Sequence, residues 1–135
     1  PDGTSFNIGI QKPFDEQNAT ITSVQVKDSS VVTSGSYERY FKVNDTIYHH
    51  ILNTATGYPC DNELLSVTIL SEKSIDGDVL STSCFALGLE EGRKLIESLE
   101  DIDAIFELHR RGYKIAAITG EDTDIVNYFE KRFSY

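Results

Sequence analysis

Between Phe6 and Leu70 apolar side chains tend to recur at every second residue, and after Asp76 they recur at every third or fourth. That change of period constrains the fold most, because a spacing of two fits a half-buried strand and a spacing of three to four fits one face of a helix. Ser5 to Gln11, with Phe6, Ile8 and Ile10, reads as a first strand, and Thr20 to Lys27, with Ile21, Val24 and Val26, as a second. Asp28-Ser29-Ser30 supplies turn chemistry before Val31-Val32-Thr33, so this stretch reads as a hairpin. Tyr37 to Val43 and Thr46 to Leu52 are two more strands joined by an Asn44-Asp45 turn. Thr54 to Glu63 is a loop leading into the strand Leu64 to Leu70.

From Asp76 onward, Leu80, Cys84 and Leu87 mark a helix that Gly88 is placed to stop, and Leu89 to Leu99 forms a second, amphipathic helix. Ile102 to Leu108 and Lys114 to Ile118 flank Arg110-Arg111-Gly112 as a terminal hairpin, and Thr123 to Phe133 is a weaker helical candidate. Strands first and helices later argue for an α+β fold, a mostly antiparallel sheet with helices packed on one face. With 135 residues the chain has the size of a single domain.

Charge narrows the partners. The 22 Asp and Glu against 12 Lys and Arg leave a net charge of −10 with no basic cluster, which argues against nucleic acid and anionic membrane surfaces. No apolar run approaches the roughly 18 to 20 residues of a membrane-crossing helix. The chain starts at Pro1-Asp2-Gly3-Thr4 without Met, which leaves trimming after synthesis and an excised fragment both open. Cys60 and Cys84 read as two free thiols, with a disulfide as the alternative. The Asn18-Ala19-Thr20 and Asn44-Asp45-Thr46 triplets fit a glycosylation pattern too common in polar turns to carry weight.

Two constellations carry chemistry. Asp78 and Thr82, at i and i+4 on a helix, present a carboxylate and a hydroxyl to one point, which suits a hard cation such as Mg²⁺; alternatively Asp76 or Asp78 caps the helix and Thr82 fills a polar position. His49-His50 is followed by Asn53 and Thr56-Gly57. One histidine at the strand end is poised for proton transfer or is a hydrogen-bonded structural residue. Gly57 permits a turn that aims amides at phosphate oxygens or is an ordinary turn before Tyr58-Pro59, and Thr33-Ser34-Gly35 has the same two readings. Tyr37, Tyr40 and Phe41 pack in the core or on the sheet, with one of them a candidate to lie against a flat aromatic ligand.

Taken in order, Thr33-Ser34-Gly35-Ser36-Tyr37-Glu38-Arg39-Tyr40, then His50 through Pro59, then Gly77-Asp78-Val79-Leu80-Ser81-Thr82 resemble the motifs of the ApbE-type FAD:protein FMN transferases. Those motifs are TSG-x-Y-x-R-Y, His-Ile-x-Asp-Pro-x-Thr-Gly-Tyr-Pro and Ala-Asp-x-x-Ser-Thr; the Asp-Pro is Asn53-Thr54 here. The resemblance implies the C-terminal part of the ApbE-like, T-fold related architecture. It implies Asp78 and Thr82 as Mg²⁺ ligands, His50 as catalytic base or flavin contact, and Ser34 and Thr56 near FAD. The implied reaction is transfer of FMN from FAD to a Thr or Ser hydroxyl of an acceptor flavoprotein subunit, with release of AMP. Hydrolysis of FAD by water in the same site is the alternative reaction, and a non-catalytic flavin-binding module the alternative class. The resemblance also implies a missing N-terminal half that supplies flavin contacts and a further metal ligand, or else a second copy of the chain. The implied location is the extracytoplasmic face of the bacterial envelope.

Overall fold

The computed structural model describes residues 3–14 and 19–108, and the backbone path of 114–119. Its elements run β1 (Phe6–Gln11), β2 (Thr20–Val26), β3 (Ser30–Gly35), β4 (Tyr40–Val43), β5 (Thr46–His49), β6 (Leu64–Ser71), α1 (Ser74–Leu87), α2 (Leu89–Glu97), β7 (Asp103–Leu108) and β8 (Lys114–Thr119). The helical reading of Thr123 to Phe133 and the Arg110-Arg111-Gly112 turn lie outside the described residues. Among the described residues no helix is long and apolar enough to cross a membrane.

The central layer is an antiparallel sheet in the order β3-β6-β7-β8. Every residue of β6 is buried, as a strand covered on both faces must be. A bulge at Leu65 shifts the alternation, so that Leu64 joins Val67 and Ile69 on the face that packs against Cys84 and Phe85 of α1 and Ile96 of α2. Ala104, Phe106 and Leu108 of β7 complete that core. The opposite face is covered by the β1-β2 hairpin, whose Ile10 and Val24 meet Leu70 and Ile105. Helices therefore do pack on one face, as expected for α+β, and a two-stranded ribbon forms a further layer on the other.

Pairing corrects one expectation. Thr20 to Lys27 and Val31 to Thr33 do not form a hairpin: β2 pairs with β1, and β3 pairs along its whole length with β6. Asp28 adopts φ 53°, and the Lys27–Ser29 turn carries the chain from the outer ribbon into the central layer. Val31 then packs in the same cluster as Val24, so the two segments meet face to face rather than edge to edge. The expected Tyr37 to Val43 strand begins only at Tyr40, because Ser36 turns out of β3 and gives both its N–H and its hydroxyl to Leu65 O. Asn44 and Asp45, at φ 48° and 65°, form the anticipated tight turn between β4 and β5 with two left-handed residues.

Helix α1 starts at Ser74, two residues before the expected Asp76, and its N-cap Lys73 makes no side-chain cap. Gly88 ends it at φ 81°, donating its N–H towards Cys84 O and Phe85 O. The approach of α1 to β3 depends on Gly77, where a Cβ would lie 2.8 Å from Val32 Cγ2 and 3.1 Å from Val32 Cβ. The helix-propensity gain of Gly77→Ala, ~1 kcal/mol, is outweighed by overpacking against a stiff β-branched side chain, ~1 to 3 kcal/mol. Urea denaturation is expected to show a net loss of about 1 kcal/mol for Gly77→Ala, and a smaller loss when Val32→Ala is the background.

Candidate functional site

Helix α1 places Asp78 in its second turn, past the capping positions and the first turn, so the capping reading of Asp78 falls away. Asp78 and Thr82 are both exposed and lie one turn apart on the same helix. Across from them, Ser34 near the end of β3 points to the helix side of the sheet. Its Oγ is 3.0 Å from Thr82 Oγ1 and 2.8 Å from Ser81 Oγ, and Ser81 Oγ donates to Asp78 O at 3.2 Å. Ser34 and Thr82, 48 positions apart in sequence, are thus brought together. Ser81 is the residue that sequence reasoning missed. It is fully buried, and a hydroxyl on the inward row Gly77, Ser81, Cys84, Phe85 was the available sign that the helix needs a polar partner there.

His50 sits just past β5, where its Nδ1 and its backbone N–H both lie 3.2 Å from Arg39 O. A carbonyl only accepts, so Nδ1 carries a proton and Nε2 is the ring nitrogen left to accept one; the residue is exposed. His49 points the other way. Its Nε2–H donates to Cys60 O at 3.1 Å, and its ring packs edge-on against Phe85 at 5.5 Å. Burial holds its pKa below the ordinary value, opposed by the Cys60 carbonyl, so His49 is a neutral structural residue. Together with Asn62 Nδ2, which donates to Phe85 O at 2.7 Å, it fastens the 49–62 segment to the C-terminal half of α1. No hydrogen bond or ion pair joins the His50 ring to Ser34, Asp78 or Thr82 among the described residues.

The loop after His50 is closed by its own hydrogen bonds. Asn53 Oδ1 accepts from Ala55 N at 2.9 Å, Asn53 O accepts from Thr56 N and Gly57 N, and Thr56 Oγ1 accepts from Tyr58 N. The bridge Leu52–Pro59 and the Cys60 N to Ile51 O bond seal its base. These four amides are engaged in the turn, and Gly57 at φ 74° serves that turn. Thr56 is exposed at the loop tip. Asn53 supplies the side-chain acceptor that an Asp would, so this turn does not require the carboxylate charge.

The aromatic residues divide. Tyr37 is half-buried and meets Phe14 edge-on at 6.0 Å, whereas Tyr40 and Phe41 are exposed rather than core, Phe41 stacking on Tyr48 at 5.2 Å. Cys60 and Cys84 are buried free thiols, and burial pushes Cys84 up to about 11, which makes it unreactive. A metal site held by three or more His, Cys, Asp or Glu is absent among the described residues. A carboxylate and an alcohol on an open helix face nonetheless fit a hard ion that takes only a few protein oxygens and leaves its other positions to water and phosphate.

Comparison with known proteins adds a family. The ApbE family model matches residues 1–106. A FAD:protein FMN transferase of Klebsiella pneumoniae (strain 342) is 49% identical over 106 residues, covering 78% of this chain and 34% of that protein. The crystal structure of the ApbE protein of Thermotoga maritima superposes with a TM-score of 0.73 at 33% identity, over 91% of this chain and 38% of that one. The apo flavinyl transferase ApbE of Pseudomonas stutzeri gives 0.68 at 29% identity, over 100% and 39%. The chain thus spans between a third and two-fifths of the length of these relatives.

Proposed function

The chain belongs to the ApbE family, and from that premise we propose that it forms the metal- and phosphate-facing part of an Mg²⁺-dependent FAD:protein FMN transferase. The observation that supports this best is the placement of Asp78 and Thr82 on one open turn of α1, with the Thr82 hydroxyl held 3.0 Å from Ser34 Oγ. In this reading the Asp78 carboxylate and the Thr82 hydroxyl hold Mg²⁺, and Ser34, itself held by Ser81, fixes the rotamer of Thr82. When bound, the ion supplies Lewis-acid neutralisation of charge on the diphosphate of FAD.

The acceptor's Thr or Ser oxygen attacks the phosphorus on the FMN side, a new P–O bond forms, the diphosphate P–O bond breaks, and AMP departs with the electron pair. His50 Nε2 takes the hydroxyl proton, since Arg39 O keeps the proton of the neutral ring on Nδ1. Thr56 at the loop tip and Ser34 at the sheet edge contact FAD. The extracytoplasmic face of the bacterial envelope is proposed as the location, on the family resemblance alone.

The test is a chimera in which this chain replaces the matched third of the Klebsiella pneumoniae relative, incubated with FAD, Mg²⁺ and an acceptor protein. A mass gain of one FMN on the acceptor supports transfer. Free FMN without that gain means hydrolysis, and FAD binding without either product means a non-catalytic module. In the same assay His50→Ala is expected to lower the rate about 10²- to 10⁴-fold, the usual contribution of a positioned base. A rate within a factor of about three of the parent would remove His50 from this role.

A further inference from the structure

The hydroxyls around Thr82 form a chain whose direction follows from one end. Ser81 Oγ lies 3.2 Å from Asp78 O, and a carbonyl oxygen accepts but never donates, so the single Ser81 proton is spent there. At the 2.8 Å contact between Ser81 and Ser34 the donor is then Ser34. Ser34 also has one proton, so at its 3.0 Å contact with Thr82 the donor is Thr82. The reverse order would set the Ser81 oxygen against the Asp78 carbonyl with no hydrogen between them, at a residue that is fully buried. Every contact is a hydrogen bond only in the order Thr82 to Ser34 to Ser81 to Asp78 O. That order decides what Thr82 shows to the open side of α1. Its proton is turned inward, so the exposed side of the oxygen carries lone pairs and no donor. The O–H dipoles line up head to tail with their negative ends outward, which suits a cation and not a phosphate oxygen, itself in need of a donor.

We propose that Ser81 is a positioning residue: from inside the core it fixes the proton order of this chain and so keeps Thr82 a lone-pair ligand for the divalent ion. An alcohol bound to such an ion needs an acceptor for its proton on the side away from the ion, and Ser34 stands there, held in the accepting state by Ser81. Asp78 serves the site twice, with its carboxylate towards the ion and its carbonyl as the end of the chain. The inference rests on the assignment of the ion to Asp78 and Thr82 and deepens it. Ser81, being fully buried, acts only through its neighbours.

The test reads binding rather than turnover. Mn²⁺ is titrated into the same chimera carrying one equivalent of FAD and no acceptor protein, and the free ion is followed by its EPR signal. Ser81→Ala is expected to weaken Mn²⁺ binding about tenfold, the lower end of what losing a ligand's supporting partner costs. Ser81→Cys fills the same space with a weak donor and should also weaken binding, by less, without opening a cavity. In a Thr82→Ala background Ser81→Ala should change binding by less than about twofold, because its effect passes through Thr82, whereas a merely structural role would add its full loss there. Asp78→Ala is measured beside them. Weaker binding in Asp78→Ala, with Ser81→Ala and Ser81→Cys both within about twofold of the parent, would overturn the proton order and leave the metal site standing. Unchanged binding in Asp78→Ala would remove the metal site itself, and this proposal with it.

Discussion

Asp78→Ala in the chimera is expected to lower Mg²⁺-dependent FMN transfer about 10²-fold or more, while Thr82→Ala lowers it less. The carboxylate is the only formal charge of the pair, and a Lewis acid at a diphosphate contributes several kcal/mol, each ~1.4 kcal/mol being a factor of ten in rate. Asp78 is exposed, lies beyond the capping turn and makes no side-chain hydrogen bond or ion pair among the described residues, so its removal is expected to leave stability within about 0.5 kcal/mol. This separation of activity from stability matters, because a structural role would move both. The Mg²⁺ concentration giving half-maximal rate should rise in Thr82→Ala, which removes the hydroxyl ligand, and less in Ser34→Ala, which only frees its rotamer. An Asp78→Ala protein with unchanged rate and unchanged Mg²⁺ dependence would show that the pair is not the metal site.

Glu107 is expected to make the chain markedly less stable at neutral than at acidic pH. It lies on the sheet face away from the helices, opposite Ser66 in the register, and is only 3% exposed. Ser66 Oγ donates to its Oε2 at 2.6 Å, while Oε1 is buried without a partner among the described residues. Burial pushes its carboxyl from 4.5 up to about 7, opposed by the Ser66 hydroxyl. The folded state therefore binds the proton more tightly than the unfolded state. The resulting stability is fully present below about 4.5, falls across the window up to about 7, and is absent above it. The size is on the order of 3 kcal/mol. Tyr37, raised to about 12 by burial and by the charges of Glu107 and Glu38, stays protonated throughout. Glu107→Gln keeps the shape and removes the titration. Urea denaturation from about pH 4.5 to about pH 8 should show the difference between the two proteins growing with pH in favour of the Glu107→Gln variant. Parallel profiles would mean that the carboxyl is already charged in the folded state.

The sequence disclosed local structure well and long-range pairing poorly. The strand marked by Phe6, Ile8 and Ile10, the Asn44-Asp45 turn and the stop at Gly88 are local consequences of side-chain period and backbone freedom, and each stands where the pattern put it, although Ile10 alone of the three apolar residues is buried and Phe6 and Ile8 are exposed. The β2–β3 hairpin failed because turn residues state that the chain bends without stating which edge it bends towards. The choice was made by β6, a strand buried on both faces that needs a partner on each side. Within the candidate site, the i, i+4 spacing of Asp78 and Thr82 was legible. The hydroxyl bridge from Ser34 through Ser81 was not, because it exists only once β3 lies under α1. Gly77 was equally opaque: in sequence it looks like a weak helix residue, and the reason for it emerges only where a Cβ would lie 2.8 Å from Val32 Cγ2.

The central claim is that one turn of α1 holds the divalent ion, and crystallography tests it most directly. Crystals of the chimera grown with FAD and Mn²⁺ in place of Mg²⁺ would reveal the ion by its anomalous scattering. The ion is expected to be bound by a carboxylate oxygen of Asp78 and by Thr82 Oγ1 at about 2.0 to 2.3 Å, with diphosphate oxygens completing its shell. An anomalous peak elsewhere on the protein, with Asp78 and Thr82 still facing water, would contradict it.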